Sequence, residues 1–155
     1  MRSSLIRREK AMPDTFLVGT DGSACAERAA EFAAQRAKAE GASIFLAAVV
    51  EWSRYAFYTP EELESRTAAK KSEIDKANTQ VLEPLKEKLS SDQVKVETLV
   101  RHGHAADVLS ELAEQEGASQ IFIGRHGRSR IEQALFGSVT VRLLQSANVP
   151  VTVVP

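Results

Sequence analysis

Short apolar runs along this chain alternate with stretches whose apolar residues recur at helical spacing. The first run, TFLVGT at residues 15–20, is β-branched and aromatic and stops at the turn pair Asp21-Gly22, which predicts a strand. Ser23 then offers a helix N-cap. Ala26, Ala29, Ala30, Phe32, Ala33 and Ala37 make one helical face, and Gly41 supplies the stop. The run SIFLAAVV at residues 43–50 is apolar on both faces, as a central strand of a parallel sheet is. Thr59-Pro60-Glu61-Glu62 opens a second helix with threonine as cap, proline first and glutamate third. That helix is expected to reach about residue 88, to lie on the surface behind the narrow stripe Ile74, Val81, Leu85 and Leu89, and to kink at Pro84. VKVETLV at residues 94–100 alternates, as a strand nearer the sheet edge does. Ala105, Val108, Leu109, Leu112 and Ala113 keep helical spacing up to Gly117, and QIFIG at residues 120–124 follows as a buried strand. A helix over residues 138–147 and the strand PVTVV at residues 150–154 close the pattern.

Five strands separated by four helical segments need crossover connections, so the sheet is predicted to be parallel and covered on both faces. The fold class is α/β: a single doubly wound domain over residues 14–155, with residues 1–13 as a flexible N-terminal extension. That extension, beginning MRSSLIRREK, has only Leu5 and Ile6 as adjacent apolar residues, which is no secretory signal; Met12 before Pro13 permits a later translation start. Composition adds exclusions. With 155 residues, 43% of them hydrophobic, the chain can bury a full core without disulfides or metals. Twenty Lys+Arg against 21 Asp+Glu leave a net charge of -1 and no basic footprint for nucleic acid. The single cysteine, Cys25, has no internal partner, and the longest apolar run is far below the ~20 residues of a membrane span. A cytoplasmic protein with no membrane insertion is expected.

In an open parallel sheet, ligands bind beyond the carboxyl ends of the strands where the strand order reverses. Two strand ends here carry unusual residues: Gly19-Thr20-Asp21-Gly22-Ser23 after the first, and Gly124-Arg125-His126-Gly127 after the fourth, with Gly137-Ser138 ahead of the next helix. A phosphate chain needs backbone N–H groups at close range, which glycine leaves unobstructed. Gly127 can open such a loop, while Gly137, Ser138 and Val139 stand at a helix N-terminus whose dipole favours anions. Asp21 is a short acceptor suited to sugar hydroxyls, and Arg128 and Arg130 could neutralise phosphates.

At these residues the chain resembles the universal stress protein family, from Phe16 to Pro155. The resemblance rests on Asp21-Gly22-Ser23, on Gly103, on Gly124-x2-Gly127-x9-Gly137-Ser138 and on the closing Pro-Val-x-Val-Val. It points to the ATP-binding branch and implies the strand order 3-2-1-4-5, which sets both marked strand ends side by side. Carried over by position, Gly19, Thr20 and Val49 would line an adenine pocket and Asp21 would hold ribose. Ile123 and Gly124 would flank the nucleoside, and Gly127, Gly137, Ser138, Val139 and Thr140 would hold phosphates. Gly19 stands where some members carry proline, and Arg125 where a small residue is common. Mg²⁺ commonly accompanies ATP phosphates, and no metal-ligating residue is assigned.

Other readings are weaker. The chain lacks Gly-x-Gly-x-x-Gly after its first strand, Gly-x4-Gly-Lys-Ser/Thr and Gly-x-Ser-x-Gly. Arg101-His102-Gly103-His104 is a near-match to a nucleotidyltransferase motif, with arginine in place of the first histidine and after the wrong strand. His102, His104 and His126 form a poor metal pattern, and Cys25 reads as core packing. Trp52, Tyr55, Phe57 and Tyr58 could cover a base, a subunit contact or their own core. The last run, Val149-Pro150-Val151-Thr152-Val153-Val154, lacks a charged gatekeeper and is expected to pair with its copy in a homodimer, as the resemblance also implies. The leading expectation is an ATP-loaded regulatory homodimer with an unidentified protein partner. A slow ATPase or adenylate-handling enzyme is the alternative, and a nucleotide-free dimerisation module a third reading.

Overall fold

A computed structural model describes residues 13–51, 59–128 and 135–155. The expected N-terminal extension up to residue 12, the aromatic run Trp52, Tyr55, Phe57 and Tyr58, and Arg130 lie outside the described residues. Five parallel strands form one sheet: β1 (Thr15–Gly19), β2 (Ser43–Val50), β3 (Val96–His102), β4 (Ala118–Gly124) and β5 (Val151–Val154). Their order is β3-β2-β1-β4-β5, so β3 and β5 are the edges and the order reverses between β1 and β4. Helices α1 (Ala24–Glu40), α2 (Pro60–Ala77), α3 (Glu83–Leu89), α4 (Ala105–Gln115) and α5 (Ser138–Ser146) connect them.

The period-2 alternation of the strands builds two cores. Phe16, Val18, Ile44, Leu46, Ala48 and Phe122 face one layer with Ala30, Ala33 and Ala37 of α1 and Leu85 and Leu89 of α3. Leu17, Ala47, Ile121 and Ile123 face the other, with Leu109 and Leu112 of α4 and Leu143 of α5. The Phe16 and Phe122 rings tilt against each other at 5.1 Å between centroids. Phe32 is a correction to the expected buried face of α1. It touches Phe122 with its ring but is 40% exposed, because the alanine face brings the helix close to the sheet and leaves the bulky residue at the flank.

Local signals act as the sequence predicts at the helix ends. The Ser23 side chain accepts from the Ala26 amide, Gly41 adopts φ 70°, and Thr59 and Glu62 form a reciprocal capping box. The second helix departs from a simple kink at Pro84. It widens into a π turn at Asn78–Leu82, in which the Glu83 N–H reaches back to the Asn78 carbonyl. Proline donates no N–H and its ring presses on the carbonyl four residues earlier, and widening the preceding turn relieves that contact. The third strand begins two residues later than the apolar alternation suggests, because Ser91 and Val94 close a tight turn on each other by paired backbone bonds of 3.2 Å. Among the described residues no helix is long and apolar enough to cross a membrane.

Gly124 marks the tightest contact between sheet and helix. A Cβ there would lie 2.8 Å from the Cys25 carbonyl carbon and 2.9 Å from the Ala26 nitrogen, both backbone atoms. Gly124→Ala should therefore destabilise the fold by about 1–3 kcal/mol, read as a lower urea midpoint at unchanged slope. Gly41, with open space around it, is not constrained in that way.

Burial lowers the pKa of His102 at the end of β3; the Lys70 charge reinforces this and Glu73 opposes it. The unfolded chain then holds the proton more tightly. The resulting stability is complete above pH 6.5, the ordinary histidine value, and is lost as pH falls below it. Urea unfolding between about pH 7 and about pH 5 should show that decline, and His102→Gln should flatten it.

Candidate functional site

Where β1 and β4 part, beyond their carboxyl ends, the fold leaves a cavity of about 360 Å³. All eleven residues singled out in the sequence line it. Gly19 ends β1, and Thr20 and Asp21 follow it. Val49 lies on β2, Ile123 and Gly124 end β4, and Gly127 lies on the loop after β4. Gly137 caps α5, while Ser138, Val139 and Thr140 form its first turn. The volume falls in the range of small-molecule sites.

One end is a helix terminus. Helix α5 has glycine as N-cap and no side-chain cap; its first backbone bond runs from the Val141 N–H to the Gly137 carbonyl at 3.1 Å. The amides of Ser138, Val139 and Thr140 precede that ladder. Two expected donors are otherwise engaged. The Gly137 N–H donates to the Arg125 carbonyl at 2.8 Å, and the buried Thr140 hydroxyl donates to the Gly124 carbonyl at 2.9 Å. Thr140 thus pins α5 to the end of β4 and offers the cavity only its amide. Among the described residues a Cβ on Gly137 would meet nothing closer than 3.5 Å, at the Gly127 nitrogen, so their packing does not require glycine there.

The other end lies over β2. Thr20 donates to the Ala47 carbonyl at 2.9 Å, which is the last backbone bond between β1 and β2. The Val50 carbonyl turns the opposite way and accepts from Gly103 beside β3. Alternation therefore aims the N–H and C=O of Val49 into the track that β1 has vacated. Val49 is partly buried against the cluster that holds Leu109.

Asp21 holds the middle. Its Oδ1 accepts from the Ser23 N–H and its Oδ2 from the Arg128 N–H, both at 2.9 Å, which ties the loop after β1 to the loop after β4. Gly127 is small for this reason, since a Cβ would lie 2.7 Å from Asp21 Oδ2. Each carboxylate oxygen keeps a second lone pair for a ligand hydroxyl.

The sequence did not mark Ala26, Ala47, Glu51, Ala105, Leu109 or Phe136 as lining residues. Glu51 was detectable in principle, as the charged residue closing the apolar run of β2. Leu109 sits four residues after Ala105 on the buried face of α4. Cys25 lies beneath the site, buried, with its thiol donating to the Val154 carbonyl at 3.2 Å. His102 and His104 stand at the end of β3 and the start of α4, and only His126 of the three histidines lines the cavity. Among the described residues no three metal-ligating side chains gather.

The same fold recurs in known proteins. The sequence model of the universal stress protein family matches residues 12–155. The Bacillus subtilis universal stress protein YxiE is 29% identical over 150 residues, covering 92% of this chain and 99% of that protein. The solved UspA of Lactobacillus plantarum superposes with a TM-score of 0.81 at 21% identity, over 94% of this chain and 99% of the other. Two further structures of such proteins contain nucleotides. One is a complex with cAMP (TM-score 0.59, 24% identity, 92% of this chain and 97% of that one). The other, from Archaeoglobus fulgidus, is a complex with dAMP (TM-score 0.51, 23% identity, 93% and 98%). A match that runs from residue 12 to the end of the chain, on the fold these solved proteins share, makes this chain a member of the universal stress protein family.

Proposed function

We propose that this protein binds ATP in the cavity between β1 and β4 and acts as a nucleotide-loaded homodimer. The observation that carries the reading is the pairing, at opposite ends of one cavity, of two backbone sets that have no partner among the described residues. At one end stand the amides of Ser138, Val139 and Thr140, ahead of the α5 ladder. They suit phosphate oxygens, with the helix dipole behind them. At the other end, the Val49 N–H and C=O offer one donor and one acceptor side by side. Adenine presents the complementary pair at N1 and its exocyclic amine, whereas guanine presents the reverse. Gly19, Thr20, Ile123 and Gly124 flank the path between, and Asp21 is placed for ribose hydroxyls. Relatives captured with cAMP and dAMP support the adenine class. Mg²⁺ would ride on the phosphates and water, as it usually does. Bound nucleotide then sets the shape or partner affinity of the dimer rather than fuelling turnover.

Purified protein, denatured and chromatographed, should release ATP that stays intact through storage with Mg²⁺; steady conversion to ADP would favour an ATPase instead. Gly137→Ala sets a methyl over the Gly127 amide without a clash. It should raise the ATP Kd by about tenfold or more while leaving the melting temperature of the free protein unchanged. Equal affinity in this variant would remove the α5 end from the site.

The dimer reading rests on β5. The Pro150 and Val154 carbonyls accept from Ile121 and Arg125 of the β4 side, so Val151 and Val153 turn their backbone groups to the open edge. All four residues of the strand are half-exposed. Sedimentation equilibrium at micromolar concentration should give a dimer. Val153→Pro, which deletes an outward N–H and spares the β4 ladder, should give a monomer that still binds nucleotide.

A further inference from the structure

Glu51, just past the end of β2, has a place in the cavity that the glycine loops do not explain. It follows Val49 by two residues, so both side chains leave the same face of the sheet, the face that α4 covers. Its Oε1 accepts from the Ala105 N–H, the first amide of α4, at 3.1 Å. The N-cap of that helix, His104, provides no side-chain cap, so Glu51 caps α4 from the neighbouring strand. The bond fixes the carboxylate at the rim of the cavity, between Val49 and Ala105. Its second oxygen accepts no hydrogen bond among the described residues. The cavity is therefore polar along its length: bare amides at the α5 end, a fixed anion at the β2 end.

We infer that Glu51 is the base-reading side chain of this site, accepting a hydrogen bond from the exocyclic amine of a 6-aminopurine. This rests on the nucleotide reading above and extends it to specificity. A nucleotide whose phosphates lie against α5 brings its base to the β2 end. There the amine has two hydrogens, one for the Val49 carbonyl and one for Glu51. A 6-keto base would turn an oxygen lone pair toward the carboxylate, and a phosphate entering in the reverse direction would meet the same charge. Glu51 thus selects the base and sets the direction of binding.

A role confined to capping α4 would alter stability but not the preference between bases. The test measures ATP and ITP binding by calorimetry to the wild-type protein, Glu51→Gln and Glu51→Ala, with the melting temperature of each free protein alongside. The wild type should prefer ATP. Glu51→Ala should lower the ATP:ITP affinity ratio by about tenfold or more, mainly through weaker ATP binding. Glu51→Gln, which keeps an acceptor for Ala105 but turns its amide NH2 toward the base, should fold normally and lower the ratio at least as far as Glu51→Ala. A ratio unchanged in both variants overturns the assignment of Glu51 and leaves the nucleotide site standing. A wild-type protein that binds neither nucleotide overturns the site and this assignment together.

Discussion

The functional architecture depends on β1 stopping early. Its last paired residue, Gly19, lies opposite Ala47, while β2 runs on to Val50. The gap that follows gives the cavity its floor and leaves the Val49 backbone without a partner strand. What keeps the gap open is the bridge across it: Asp21 accepts amides from its own loop and from Arg128 on the facing loop, so the two walls stand at a fixed spacing. Gly124 brings the far wall onto the first turn of α1 at backbone contact distance. The site is built mainly from backbone, and the Asp21 side chain that holds its walls at their spacing also lines the cavity.

This division of labour explains the distribution of glycines around the cavity, which do different jobs. Gly124 is required by helix–sheet packing and Gly127 by the approach of Asp21. At Gly19 a Cβ would press on the flexible end of Leu109, 2.7 Å away. Gly137 answers to no such internal demand, and it is the position where a ligand gives the better reason for a missing side chain. In three dimensions these four glycines are two packing contacts, one side chain's worth of clearance and one opening.

Much of this was legible in the chain. Strand and helix identity followed from periodicity and caps, because those signals are local: Ser23, Gly41 and the Thr59–Glu62 box each act within one turn. The strand order came from family resemblance, since alternation constrains which faces are buried but not which strands adjoin. The glycines and short polar residues at the strand ends marked where backbone must stay open, Val49, Ile123 and Thr140 came from the family resemblance, and all eleven expected residues line one cavity. What could not be read were the long-range engagements. The Thr140 hydroxyl meets a carbonyl 16 residues away, and Asp21 meets an amide 107 residues away. The cap that Glu51 gives α4 spans 54 residues, and no local pattern announces any of these. The π turn before Pro84 was misjudged for a related reason: proline declares the strain but not how the helix relieves it.

The interleaved sheet order also bears on how the molecule is made. Its central strand β1 emerges before every other strand, but the neighbour β4 that completes its hydrogen bonding begins only at Ala118. A nascent chain can assemble β3, β2 and β1 with the bare flank of β1 exposed, in the arrangement that invites pairing between strangers. The apolar centre of the sheet is therefore most vulnerable while the ribosome is still delivering the second half. The cavity cannot exist before α5 has left the exit tunnel and docked on the end of β4, so it is among the last features of the fold to form.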